Sequence, residues 1–228
     1  GSYAALCTRL LAFLVLSLPA FAHSQERVIG LIEIPPLYPQ EVSWDIELPV
    51  GTVVLRSAPS SSASVVLDVR NRRQVASAEH GYEEASARVY ELAYADKDGA
   101  WFKLKYQDAD KSGFGWFKAG ETNQFHLTED LLSEHMSYMT DSWDGRLRES
   151  PSSDAAATPV PKRWEGSHAS ARLITMWGSR EDLWYLVAVM RGGNCSEPSE
   201  PPEVLATGWV PASTQTGDSP IWYYSRGC

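Results

Sequence analysis

The stretch "LRSAPSSSAS" occupies residues 55–64, and a close relative of it, "LRESPSSDAA", returns at residues 147–156. Such a segment is either a Ser-rich tether used twice or the same element of a duplicated domain, and its surroundings decide between the two. Leu55-Arg56 and Leu147-Arg148 lie 92 positions apart; "ASAR" occurs at 85–88 and again at 169–172, each time leading into an apolar strand. Trp101-Phe102 and Trp184-Tyr185 both follow a charged turn, and Gly115-Trp116 matches Gly208-Trp209. Landmarks that recur in one order at offsets of 83 to 93 mark a duplication. A flexible tether would not be followed each time by the same strand series. Pro59 and Pro151 fall where a strand must leave its sheet, because proline has no N–H to give to the ladder.

Strand-like segments dominate the chain: 27–34, 52–57, 64–70, 88–95, 101–107, 113–119, 171–177, 183–190, 206–212 and 221–226. They are short, rich in Val, Tyr, Trp and Phe, and separated by Gly, Pro, Asp and Ser clusters, which predicts an all-β fold of small barrels or sandwiches. "TEDLLSEHMSYM" (128–139) opens with Thr128 and acidic residues ahead of an apolar pair, so it is predicted as a capped helical turn connecting two domains. The two copies differ in their loops. Arginine to "ASAR" takes 29 residues in the first and 21 in the second, whereas tryptophan to "GW" takes 14 and then 24. The second copy's additional length is "RGGNCSEPSEPPEV".

At the N-terminal end, Arg9 precedes the apolar run Leu10–Ala22, and Pro19, Ala20 and Ala22 supply what a signal peptidase reads. The run is too short to span a bilayer as a helix. Residues 1–22 are therefore expected to be a cleaved signal peptide, with a mature chain starting at His23 and no stable membrane anchor. Cys7 precedes the apolar run, the wrong order for a lipoprotein anchor. The protein is expected to be exported, periplasmic or extracellular, and in that compartment Cys195 and Cys228 are expected to form a disulfide. Closing a loop of that length is worth roughly 3–4 kcal/mol in the chain-entropy account. Two isolated cysteines make a poor zinc set, so neither a metal nor a cofactor is expected.

The chain carries 20 Lys and Arg against 29 Asp and Glu, a net charge of −9. That sign excludes a nucleic-acid partner, which needs counter-charge for its phosphates. The short basic runs Arg70–Arg73 and Lys162-Arg163 read as solvated turns. His23, His80, His126, His135 and His168 are not at metal-ligand spacing, and neither "HExxH" nor "GxSxG" occurs. No enzymatic activity is expected, although a triad assembled only in space would leave no trace in spacing.

A strand carrying "LR..PS", a variable loop, a charged turn before "WFKL" or "WYLV", and then "GWF" or "GWV" together resemble the bacterial Src-homology-3-like domain. Both copies match, over roughly residues 46–125 and 140–225. The resemblance implies tandem five- or six-stranded barrels of exported proteins, which bind cell-wall peptides or other proteins and are seldom catalytic. Both copies have longer loops than a minimal domain of this kind, which puts any carried-over groove geometry in doubt. The division that follows is a signal peptide (1–22), an N-terminal strand extension (23–45), a first barrel (46–127), a helical connector (128–139) and a second barrel (140–228). Within the extension, 27–34 reads as an added edge strand that closes or bridges the barrels, and "PPLYP" as its stop or as a proline-rich ligand segment.

Nine tryptophans and ten tyrosines cluster at strand ends. A small barrel fills its core with large aromatics, so Trp101, Trp116, Trp184 and Trp209 are predicted to be core. Tyr94, Tyr106, Trp177, Trp222 and Tyr223 are the candidate groove residues, half-exposed and able to hold a peptide. The expected partner is a peptidoglycan stem peptide or an envelope protein.

Overall fold

The computed structural model describes residues 27–34, 53–69, 75, 79–80, 85–95, 99–191 and 202–224. The protein is mostly strand, with one short helix. The first half contributes β1 (Gly30–Ile34), β2 (Val53–Arg56), β3 (Val65–Val69), β4 (Glu79–His80), β5 (Ala85–Ala95), β6 (Gly99–Asp108), β7 (Lys111–Lys118) and β8 (Phe125–Leu127). After α1 (Thr128–Glu134) come β9 (Ser137–Met139), β10 (Arg146–Arg148), β11 (Ala157–Pro159), β12 (Arg163–Trp164) and β13 (Ser167–His168). The chain continues with β14 (Ser170–Gly178), β15 (Leu183–Met190), β16 (Val204–Pro211) and β17 (Ile221–Tyr223). All ten segments read as strands from their composition carry one.

These strands form two curled antiparallel sheets and a small hairpin, β12–β13. The first sheet runs β3-β2-β7-β6-β5-β1-β8, with β4 on β5; the second runs β11-β10-β16-β15-β14-β9-β17. Matched in chain order, the two orders are the same. The correspondence reaches single residues. Arg56 pairs with Val65 and Trp116, and Arg148 with Ala157 and Trp209. A bulge at Tyr90 in β5 has its counterpart at Ile174 in β14.

The opening segment folds twice into one turn. Ser57 N donates to Ser64 O (2.9 Å), Ser60 N to Ala58 O (2.8 Å) and Ala63 N to Ser60 O (3.1 Å). In the second copy Glu149 N donates to Ala156 O (3.0 Å), Ser152 N to Ser150 O (2.8 Å) and Ala155 N to Ser152 O (3.2 Å). Ser60 Oγ and Ser152 Oγ each accept from the backbone N–H two residues on, at 3.3 Å. The Ser-rich stretch is thus an ordered hairpin turn in both halves.

Each sheet encloses a core by period-two alternation. In the first, Val53, Leu55, Phe102, Leu104 and Phe117 are buried with Ile32, Ile34 and Val89. In the second, Leu147, Tyr185, Val187 and Val210 take the matching places. Trp101 and Trp184, at 1% and 4% exposure, are buried on the opposite face of β6 and β15. Lys118 covers the first ring and Arg148 the second, each 5.8 Å from the ring centroid. Trp116 and Trp209 are only partly buried, against expectation. The alternation that turns Gly115 and Phe117 inward, and likewise Gly208 and Val210, turns the tryptophan between them outward.

β1 is not an edge strand. It pairs with β5 on one side and β8 on the other, and Ile32 and Ile34 enter the first core while Leu31, with Val28 before it, enters the second. The helical connector is also shorter than predicted. Thr128 does not cap it: the N-cap position is Leu127, and the buried Thr128 hydroxyl instead donates to Val28 O (3.4 Å). His135 ends α1 in extended conformation, and Ser137–Met139 alternate as β9. Leu131 and Leu132 of α1 fill the second core. Arg27 Nη1 donates to Glu129 Oε1 (3.0 Å) and Tyr185 Oη to the same oxygen (2.7 Å), so the N-terminal segment, α1 and β15 are tied together.

Candidate pocket between the two sheets

β17 lies at the edge of the second sheet, beside α1 and against β5 of the first. The Arg88 guanidinium of β5 stacks on the Trp222 ring, 4.6 Å from its centroid. Around this contact a pocket of about 270 Å³ opens, lined by Arg88, Tyr138, Thr140, Asp141, Ser142, His168, Asp218, Ser219 and Trp222. Two separate turns shape it. Thr140 Oγ1 donates to Ser219 O (2.7 Å), with Ser142 Oγ 2.8 Å from the threonine oxygen and 3.2 Å from the same carbonyl. Thr214 N donates to Asp218 O (2.7 Å) and Thr216 Oγ1 to Asp218 Oδ2 (2.8 Å), which fixes the second acid.

Asp141 is the electrostatic centre of one side. Arg163 Nη2 reaches both its oxygens, at 3.0 and 2.9 Å, and His168 Nε2 lies 3.2 Å from Oδ1. The Arg163 hydrogen bond, and next the His168 hydrogen bond, hold the exposed Asp141 carboxyl below its ordinary value of 3.8. The His168 ring stacks against Tyr138 at 5.1 Å, and Tyr138 against Tyr224 at 4.6 Å. The Thr140 hydroxyl donates to a backbone carbonyl, and the Ser142 proton is shared between Thr140 and that carbonyl, so neither is directed at His168. The pocket lining thus combines aromatic residues with both signs of charge.

Of the five aromatics singled out from the sequence, Trp222 lines this pocket. Trp222 and Tyr223 are 3% and 8% exposed, not half-exposed, because β17 is covered on one face by the second core and on the other by Arg88 and α1. Tyr223 packs on His135 at 5.3 Å. Tyr106 is partly buried against the first core. Tyr94 and Trp177, at 78% and 55% exposure, stand near the ends of the matching hairpins β5–β6 and β14–β15. Cys195 and Cys228, and the "PPLYP" segment, lie outside the described residues. Arg88, Tyr138, Asp141, His168 and Asp218 are not among the site residues expected from the sequence, since they come from four separate stretches of the chain that no local motif joins.

No protein-family model matches the chain, and neither a curated protein nor a solved structure does. Among the described residues no group of three or more His, Cys, Asp or Glu could hold a metal ion, and no helix is long and apolar enough to cross a membrane.

Proposed function

We propose that this protein is an exported, non-enzymatic binding module of the bacterial cell envelope. In this reading it comprises two tandem Src-homology-3-like barrels that recognise a peptide, most naturally that of peptidoglycan. The observation that carries the reading is the pocket between the sheets, where Tyr138 and Trp222 supply aromatic surface and Arg88, Asp141 and Asp218 supply both signs of charge. A peptide end, with its amide groups, carboxylate and small apolar side chains, has that same mixture. The duplicated sheets and the signal-like N-terminal sequence support the barrel pair and its export. A disulfide between Cys195 and Cys228 belongs to the same proposal.

The test is co-sedimentation of the mature protein with purified, protein-free sacculi, alongside Asp141→Asn, Tyr94→Ala and Trp177→Ala variants. The exposed positions make these substitutions tolerable to the fold. Capture of the wild type, with at least tenfold weaker capture of Asp141→Asn, is expected; no capture where a known wall binder sediments removes the wall as partner. A second reading is an interaction or inhibitor module acting on another exported protein. Exposed Ile174, Met176 and Trp177 on β14 favour it, beyond Ala171 where β9 ceases to pair with that strand. Salt-sensitive capture of one basic envelope protein would select this second reading, since the net charge of −9 would steer such a partner.

A further inference from the structure

We propose that the pocket between the sheets receives the terminal carboxylate of a peptide, with Trp222 Nε1 and Arg88 as its donors. The inference rests on the peptide-binding reading and names the chemical end of the peptide that is read. Trp222 is 3% exposed, and its indole Nε1 has no hydrogen-bond partner. Buried donors are almost always paired; Arg27 Nε, Trp101 Nε1 and Arg148 Nη1 are orphans as well, but Trp222 alone of the four belongs to a residue that lines the pocket, where an acceptor from outside the fold could meet it once the ring shifts. The Arg88 guanidinium, 4.6 Å from the centre of the same ring, places a positive charge beside that donor. A neutral donor and a cation at one ring match an anionic oxygen.

The rest of the lining narrows the anion. Asp141 and Asp218 also line the pocket, and their charge opposes a multiply charged anion such as phosphate dianion. They can accept from an amide N–H or an ammonium on the ligand's next residue. The Tyr138 ring, in tilted contact with His168 and Tyr224, lines the pocket and gives apolar surface for a methyl side chain. A volume of about 270 Å³ is below that of sites enclosing whole drug-sized ligands, and it suits the last one or two residues of a chain.

The experiment follows the indole N–H resonance of Trp222, assigned with Trp222→Phe, in nitrogen-15-labelled mature protein. The probes are N-acetyl-alanyl-alanine, its C-terminal carboxamide and inorganic phosphate. The acid is expected to displace the Trp222 resonance saturably, the carboxamide to bind at least tenfold more weakly, and Arg88→Gln to abolish the difference. Equal response to acid and carboxamide, no displacement by either, or phosphate binding as tight as the acid would overturn the proposal. The first comparison uses unmutated protein and does not depend on any variant folding. Sacculus capture without discrimination between acid and carboxamide sinks the carboxylate assignment alone, whereas discrimination without capture sinks the wall reading alone.

Discussion

Alanine at either Gly115 or Gly208 should destabilise the protein by nearly the same amount, because the two glycines occupy one position of a duplicated fold. At Gly115 an added Cβ would stand 2.6 Å from Leu55 Cβ and 3.0 Å from Val66 Cγ2; at Gly208 it would stand 2.7 Å from Leu147 Cβ and 3.0 Å from Arg148 O. Carbon atoms rest at about 3.5–4.0 Å, so strands β2 and β7, and β10 and β16, would have to part by roughly an ångström. Leu55 is fully buried and Leu147 nearly so, which leaves neither room to retreat. Overpacking of this kind costs about 1–3 kcal/mol. The lower backbone entropy of alanine in a strand returns about 0.5–1 kcal/mol. The difference spans about 0–2.5 kcal/mol, and the contacts under 3.0 Å at both sites exclude its lower end, leaving about 1–2.5 kcal/mol for each variant. In a chain of this size that lowers Tm by about 2–10 °C. Gly208→Ala should be the worse of the two, since a backbone carbonyl cannot rotate away as a valine methyl can. Urea and thermal denaturation measure both, with Gly120→Ala as control, whose Cβ meets only Asn123 Oδ1 at 3.4 Å. A control-like result at either glycine, or a loss at one and not the other, would refute the structural equivalence argued from these contacts.

Two further outcomes concern titration. Burial, and next the charge of Glu129, push the Tyr185 phenol well above its ordinary 10.0, so its contribution to stability is intact below pH 10 and is lost as pH rises beyond that value. An ultraviolet tyrosinate titration should show Tyr185 ionising last, after Tyr224, which burial also raises, and that last step should disappear in Tyr185→Phe, a variant expected to lose about 1.5–3 kcal/mol with its hydrogen bond to a carboxylate; ionisation of Tyr185 along with exposed tyrosines would contradict this. Asp141, with its folded value lowered, contributes fully above its unfolded value of 3.8 and loses that contribution as pH falls from there through the folded one. Carbon-13 NMR should place its midpoint below 3.8 and move it upward in Arg163→Gln, and a midpoint indifferent to that substitution would remove Arg163 as the cause.

The strands that could be read from sequence are those long enough to alternate. "TVVLRS" shows its period directly, with Val53 and Leu55 buried and Val54 and Arg56 less so. β4, β8, β9 and β11 to β13 escaped because two or three residues make no period, and Ser137–Met139 in particular follows α1 without a break that composition marks. Alternation also does not tell what lies on a strand's outer face. Trp222 and Tyr223 read as half-exposed from their alternation and the turns near them, yet Arg88 of the first copy lies on Trp222 and His135 packs on Tyr223. The Gly-Trp pair was visible as a repeated landmark, but its burial was assigned to the tryptophan when the close approach belongs to the glycine. The pocket was illegible for a related reason: Arg88 and Trp222 are distant in sequence, and their contact exists only where one sheet meets the other.

That meeting is where the two copies stop being equivalent. Tyr90 and Ile174 share the bulge position, but Tyr90 packs against the second core whereas Ile174 is 47% exposed. Arg88 and Arg172 share the last place of "ASAR", but Arg88 lies on Trp222 while Arg172 faces solvent. The first copy therefore presents a surface to the second that the second presents to solvent, a head-to-tail relation in place of a two-fold one. β1 enforces it, since its two faces serve different cores and Arg27 just ahead of it is held by Glu129. A pocket built across such a junction draws Arg88 from one copy and Trp222, Asp141 and Asp218 from the other, so its lining is not repeated by the duplication. In the proposed reading the repeats act as halves of one binding element, and Arg88, whose counterpart Arg172 faces solvent, is the residue the first copy gives to it.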